Sequence, residues 1–452
     1  MTGIDSSPAV VCTPEEVTAE WLSAALGTEV RSARTEAVGT GQIGCCVLAH
    51  VDGDQLPETL FVKLPNPDEG MRPLLHGVYR SEVLFYRDLA PTVAVRVPRS
   101  RFAALGEREG EFTLILDDVT PLVQGDQLAG LTVDQARDCA VNLAGLHGPR
   151  WCDETLRGIE GLSVPTVEDN VTLQELGGPA LEAFLGELGD RLDDEERQTL
   201  SGIAALIADW ANGRSDRFAL LHADYRADNM LIDPAGGLPS LACDWQTLTV
   251  GLPGRDLGGF LGSSLTVEDR RSAERGIVAD YHRALVGHGV ADYPLETCWD
   301  DYVYGLLQTP VVGIFGWMYG TRTARGDDMF ALLMRRACRA IADHEGLEVL
   351  AGLHDLLRRE GPQHVGANQT DLDALLTHAV DDVLGRVGGG VEEEEANLGV
   401  LHPVQLHHVV VAAGDLGVLF KDLGDHLAGR FHGHVQLILV VHQVGIVHVR
   451  PD

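Results

Sequence analysis

Basic side chains are scarce in this 452-residue sequence. The 34 lysines and arginines stand against 68 aspartates and glutamates, giving a formal charge of −34. Clustered Lys and Arg are what hold a phosphate backbone, so this balance argues against a nucleic-acid surface, while a cationic small molecule stays admissible. Long hydrophobic runs are missing too. No uninterrupted apolar stretch reaches the roughly 20 residues that span a bilayer, and the opening MTGIDSSPAVVCTPEE has no basic region followed by an apolar one. No membrane partner is expected, and the expected location is the cytoplasm. The eight cysteines, at 12, 45, 46, 139, 152, 243, 298 and 338, form no C-x-x-C pair and no zinc-site spacing. They read as small buried hydrophobes kept reduced. What is present in ordinary measure is hydrophobic content, at 45%, enough for a sizeable core and for more than one domain.

Along the chain the pattern changes three times. Residues 34–40, 44–51 and 59–64 are short strand-like runs punctuated by Gly, Asp and Pro. A helical stretch follows around 78–89, then strand again at 111–116. From Thr132 the spacing turns helical, opened by Thr132-Val-Asp-Gln135, a capping-box sequence. Inside this helical part, Phe218 to Leu221, Met230 to Ile232 and Ser240 to Cys243 are strand-like, and a polar loop separates the first two. The expected architecture is therefore α+β: residues 1–118 form a small β-rich lobe, and residues 119–360 form a larger, mainly helical lobe. A cleft lies between them. Residues 361–452 differ in kind. They hold ten of the eighteen histidines and no Cys, Trp or Tyr. This segment is read as lying outside the catalytic fold; metal binding through its histidines lacks a supporting carboxylate or cysteine pattern.

Four separated pieces point to one chemistry. The first is Leu221-His222-Ala223-Asp224-Tyr225-Arg226-Ala227-Asp228-Asn229, with Asp244 fifteen positions beyond Asn229 in Cys243-Asp244-Trp245-Gln246. Phosphoryl transfer requires a carboxylate to orient the attacking hydroxyl and take its proton, and oxygen ligands that hold Mg²⁺ against nucleotide phosphates. Asp224 supplies the first; Asn229 and Asp244 can supply the second, brought together if the turn at 233–237 closes a hairpin. The second piece is Gly39-Thr40-Gly41-Gln42-Ile43-Gly44. Here G-x-G-x-x-G runs on into a strand and not a helix, which favours a loop over ATP phosphates above a dinucleotide fingerprint; a plain hairpin turn is the simpler alternative. Third, Lys63 sits in an apolar strand, where a cation without an anionic partner is costly, and Glu82 follows nineteen residues later in a helical stretch. An exposed lysine and a solvated glutamate would be the reading of either one alone. The fourth, Leu114-Ile-Leu-Asp-Asp-Val119, suits a hinge whose backbone could hydrogen-bond adenine.

From about Arg34 to Ala340 the chain resembles the aminoglycoside phosphotransferase and choline kinase superfamily. It looks closest to the ecdysteroid-kinase-like relatives, through LLHADYRADNMLI, LACDWQTLTVGLPGRDLGGFLGSSL and LAGLHGPRW. The resemblance implies a bilobal protein-kinase-like fold and an ATP- and Mg²⁺-dependent kinase acting on a hydroxyl of a small molecule. Under it Asp224 is the catalytic base, Asn229 and Asp244 are metal ligands, and Gly39, Gly41, Gly44, Lys63 and Glu82 serve the nucleotide. His222 braces the catalytic loop and Asp256 holds it from below. Asp244 is followed by Trp-Gln where protein kinases have Phe-Gly, and no long activation segment follows, which disfavours a protein substrate. A pseudokinase or ligand-binding module of the same fold is the alternative, opposed by the completeness of the Lys63, Asp224, Asn229 and Asp244 set. The aromatic stretches at 302–307 and 313–319 either line an acceptor pocket, favouring an apolar alcohol, or belong to the core.

Overall fold

The computed structural model describes residues 8–38, 43–320 and 322–344. Gly39 and Gly41 lie outside the described residues, as does the segment 361–452. All described residues fall in one compact unit.

The first lobe is built on five antiparallel strands: β1 (Ser32–Ala37), β2 (Gly44–Asp52), β3 (Thr59–Pro65), β4 (Ser100–Leu105) and β5 (Phe112–Asp117), in the spatial order β1-β2-β3-β5-β4. Helix α1 (Ala19–Leu26) is capped by the Thr18 side chain, and packs Leu22 with Val47, Leu60, Val62 and Ile115 into one apolar cluster. These residues alternate along β2 and β3, so the pleat sends one face of each strand into the cluster. Helix α2 (His76–Leu84) continues as a π turn at Phe85–Leu89 and lies between β3 and β4. Gly44 opens β2 at a point where a Cβ would come within 2.5 Å of the Leu64 carbonyl oxygen. The close approach of two strands explains that glycine without reference to a ligand.

The second lobe is helical: α3 (Val133–His147), α4 (Val167–Leu188), α5 (Asp194–Ala204), α6 (Ile207–Asn212), α7 (Gly254–Ser264), α8 (Val267–Gly287), α9 (Leu295–Gly305), α10 (Gln308–Tyr319) and α11 (Ala324–Asp343). Helix α3 begins where the capping box lies: Thr132 Oγ1 accepts from the Gln135 amide at 3.3 Å, and Gln135 Oε1 accepts from the Thr132 amide at 3.0 Å. Such a cap contributes about 1 kcal/mol. Four short strands sit within this lobe: β6 (Val123–Gln124), β7 (Ala219–Leu221), β8 (Met230–Ile232), β9 (Leu241–Ala242), and a fifth, β10 (Thr249–Gly251), closes on β7. The expected hairpin is present, with Met230 opposite Ala242 and Leu231 opposite Leu241. Helices α7 and α9 meet backbone to backbone, since a Cβ on Gly305 would overlap the Gly254 carbonyl. Glycine there lets α7 sink deep enough to reach the loop between β7 and β8.

The architecture is thus α+β with a sheet-rich lobe preceding a mainly helical one, as the sequence implies. Strands β4, β6 and β10 and helix α1 are not among the elements derived from the sequence. No helix among the described residues is long and apolar enough to cross a membrane.

Candidate functional site

The loop from His222 to Asn229 leaves β7 and enters β8, so two strands fix its ends. Between them the backbone is held in an uncommon conformation: Ala223 has φ +64°, in the left-handed region that a residue with a Cβ rarely adopts. Asp256, in the first turn of α7, holds it there. Its Oδ2 accepts from the His222 amide at 2.7 Å and its Oδ1 from the Ala223 amide at 2.9 Å. His147 of α3 lies against the same carboxylate, Nε2 to Oδ2 at 3.3 Å, and its other ring nitrogen meets the Tyr281 hydroxyl at 2.7 Å. The His222 ring is fully buried, with Nε2 3.0 Å from the Cys243 carbonyl oxygen, and it tilts against Trp245 at 4.6 Å. It joins the loop to the segment that carries Asp244.

Asp224 is gripped from two sides. Arg226 Nε donates to both carboxylate oxygens at 3.0 and 3.2 Å, and Asn229 Nδ2 donates to Oδ2 and to the Asp224 carbonyl oxygen, both at 2.8 Å. Arg226 is itself shared with Asp228 at 2.7 Å, and Asp228 in turn accepts from the Gln127 amide at 2.8 Å. Burial pushes the Asp224 carboxyl above the ordinary range, with Arg226 and His222 pulling the other way and Asp244 adding to the rise. A raised pKa makes its carboxylate a better proton acceptor than a solvated aspartate.

Across the cleft, Lys63 of β3 and Glu82 of α2 form a buried ion pair, Nζ to Oε2 at 2.7 Å. Asp244 Oδ1 lies 3.4 Å from the same ammonium. Burial disfavours the Lys63 ammonium, but Asp244 and Glu82 outweigh it and raise its pKa. Burial pushes Glu82 up, with Lys63 opposing. Gln246 Nε2 reaches Glu82 Oε2 at 3.3 Å. Asp244 also has a left-handed backbone, φ +67°, and the next residue, Trp245, stacks flat on Phe85 of the π turn that continues α2, with ring centroids 3.5 Å apart. The Trp-Gln that follows Asp244 thus ties the hairpin to α2.

The structure therefore brings together Lys63, Glu82 and Asp244 in one group, and Asp224 and Asn229 in another, with the Asn229 carbonyl oxygen accepting from the Cys243 amide at 3.0 Å between them. The hinge acids are tied locally: Asp117 pairs with Arg101 at 2.5 Å, and Asp118 accepts from Thr59 and Thr120. Residues 302–307 turn out to be core, with Tyr302, Leu306 and Leu307 fully buried. Of the stretch at 313–319, Gly313 lines a recess beside Asp224, while Ile314, Phe315 and Trp317 are buried. Sequence reasoning missed Arg226, Gln308 and Thr309 at this recess. Arg226 carried the only signal, a basic residue two positions from a catalytic candidate.

As to a metal, Asn229 has its side-chain nitrogen committed to Asp224, which leaves its side-chain Oδ1 as a donor, and the Asp244 carboxylate is partly exposed, at 21% of its side-chain surface. Two oxygen donors of this kind suit a hard cation whose other ligands are phosphate oxygens and water. Among the described residues no group of three or more His, Cys, Asp or Glu side chains is arranged to hold a metal by itself.

Residues 48–294 match the phosphotransferase enzyme family. No curated protein matches the chain in sequence. Among solved structures, a choline kinase from Cryptosporidium parvum Iowa II is similar, at 10% identity over 71% of this chain and 91% of that one, with a TM-score of 0.47. A macrolide 2'-phosphotransferase from Brachybacterium faecium is similar at 17% identity, over 69% of this chain and 95% of that one, with a TM-score of 0.39. A spectinomycin phosphotransferase in complex with ADP and spectinomycin is 13% identical over 74% and 97% of the two chains, with a TM-score of 0.39.

Proposed function

The chain belongs to the phosphotransferase enzyme family, and from that premise we propose that it is an ATP-dependent kinase that phosphorylates a hydroxyl group of a small molecule, with Asp224 as general base. The observation that carries this reading is the grip on Asp224: a carboxylate only 11% exposed, with a raised pKa, oriented by Arg226 and Asn229, opposite a lysine and an aspartate suited to nucleotide phosphates and metal. In the reaction the acceptor hydroxyl approaches Asp224, which orients it and takes its proton. The hydroxyl oxygen forms a bond to the γ-phosphorus as the bond from that phosphorus to the β-γ bridging oxygen breaks, leaving ADP.

Lys63 binds the phosphates and Glu82 keeps its ammonium in place. His222 and Asp256 act as positioning residues: one joins the catalytic loop to the hairpin, the other fixes the loop backbone. Asn229 and Asp244 would hold Mg²⁺, which supplies charge neutralisation on the phosphates when bound. Gly44, with Gly39 and Gly41, belongs to the loop assigned to the phosphates. The chemistry is that of the interior of a cell, where ATP is found, which fits a cytoplasmic location.

The test is ADP release in the presence of MgATP and a panel of hydroxylated small molecules. Asp244→Ala is expected to weaken MgATP binding by tenfold or more in calorimetry, because the metal–phosphate charge loses a carboxylate partner. Unchanged affinity contradicts the assignment of Asp244. MgATP binding with no turnover of any acceptor favours the pseudokinase alternative.

A further inference from the structure

The recess beside Asp224 is narrow, about 30 Å³, and is walled by the catalytic loop, α7, α10 and α11. Its polar side chains are nearly all committed to the protein. Gln308 is held at both ends, Nε2 donating to the Ala223 carbonyl oxygen at 2.9 Å and Oε1 accepting from Arg255 Nε at 2.8 Å. The Thr309 and Ser263 hydroxyls both donate to the Gly259 carbonyl oxygen, at 2.9 and 2.7 Å. The Tyr225 hydroxyl donates to the Cys139 carbonyl oxygen at 2.8 Å, the Asp256 carboxylate is occupied by two backbone amides, and Arg226 spans Asp224 and Asp228. The remaining wall is carbon: Ala223, Gly259, Val312, Gly313 and Leu333.

Resting on the phosphotransferase reading above, we infer that the acceptor presents its hydroxyl to Asp224 on a slender, apolar carbon frame of which only the carbons next to the hydroxyl enter the recess, with Val312, Gly313 and Leu333 as the residues that select it. A second hydroxyl entering this recess leaves water and meets hydroxyl and amide donors already engaged within the protein, and an ammonium group gives up its hydration at greater cost. The discrimination comes from the wall and not from the base, because Asp224 accepts a proton from any alcohol. Polyols and polycationic amino sugars are therefore poor acceptors at this site despite the acidic character of the chain.

The experiment compares 1-hexanol, glycerol and kanamycin as acceptors for the full chain with MgATP, by ADP release and by phosphorus NMR of the ester formed. The expected kcat/KM for 1-hexanol exceeds those for glycerol and kanamycin by at least about tenfold. Val312→Asn, which places an amide in the wall, is expected to lower the value for 1-hexanol by about tenfold and leave MgATP affinity unchanged. Thr309→Val removes a hydroxyl from the wall and is expected to widen the preference for 1-hexanol over glycerol. Preference for glycerol or kanamycin, no turnover of 1-hexanol, or a narrowed preference in Thr309→Val overturns the inference. Turnover of kanamycin alone does so while the phosphotransferase reading stands, whereas a chain that binds no MgATP removes both.

Discussion

Asp224→Asn is expected to lower kcat by roughly 10² to 10⁴ while MgATP affinity stays within a few-fold, since the lost carboxylate acts on the acceptor and not on the nucleotide. The asparagine keeps the shape of the side chain, and its single oxygen, in the place of Oδ2, can still accept from Arg226 and Asn229, while the bond to Oδ1 is lost. Its effect on stability runs the other way. Burial raises the folded pKa of this carboxyl above its unfolded value. The contribution of such a group to stability is fully present below the unfolded pKa and is lost as pH rises through the folded one. At neutral pH the ionised carboxylate therefore works against the fold, and Arg226 retains Asp228 when the charge is removed. The variant is expected to melt at or above the parent temperature in a thermal scan at pH 7. Near-normal turnover, or a marked loss of stability with low turnover, counts against Asp224 as the base.

Asp256→Ala is expected to damage both stability and turnover. The carboxylate accepts from two buried backbone amides and faces His147, all away from water. Each amide left without a partner costs about 1–3 kcal/mol. The left-handed conformation at Ala223 then loses both of these bonds and keeps only the Gln308 bond to its carbonyl oxygen. A urea denaturation midpoint well below that of the parent is expected. In the fraction that folds, kcat is expected to fall further than MgATP affinity, because the loop that carries Asp224 relaxes while Lys63 and Glu82 remain joined. An unchanged midpoint shows that the loop is held by other contacts.

Legibility in the sequence followed the range of the interactions. The capping box at Thr132 was readable because its partner is three residues away. The hairpin of β8 and β9 was readable from its turn, and that pairing carried Asn229 toward Asp244. Strand β4 was not: every residue in SRFAAL is half-buried, its register with β5 shifts between Ser100 and Phe102, and the alternation that marks a strand is absent. The recess was illegible for another reason. Gln308 meets Ala223 across 85 positions and Thr309 meets Gly259 across 50, so no local pattern marks either residue. The aromatic stretch at 302–307 misled because burial in a core and exposure in a pocket select the same side chains. Only packing against α7, through Gly254 and Gly305, separates the two.

The ion pair at Lys63 has a practical corollary. Lysine occurs at two positions in the whole sequence, 63 and 421, so the chain offers amine-directed reagents only these two side chains and the N-terminal amine. In the folded protein the Lys63 amine is locked as an ammonium by Glu82 and Asp244, and an ammonium has no lone pair with which to attack. Acylation at position 63, read from a single peptide, therefore reports the opening of the cleft proposed for the nucleotide. A chain that draws almost all of its positive charge from arginine carries a chemical probe of its own folding at the residue assigned to ATP.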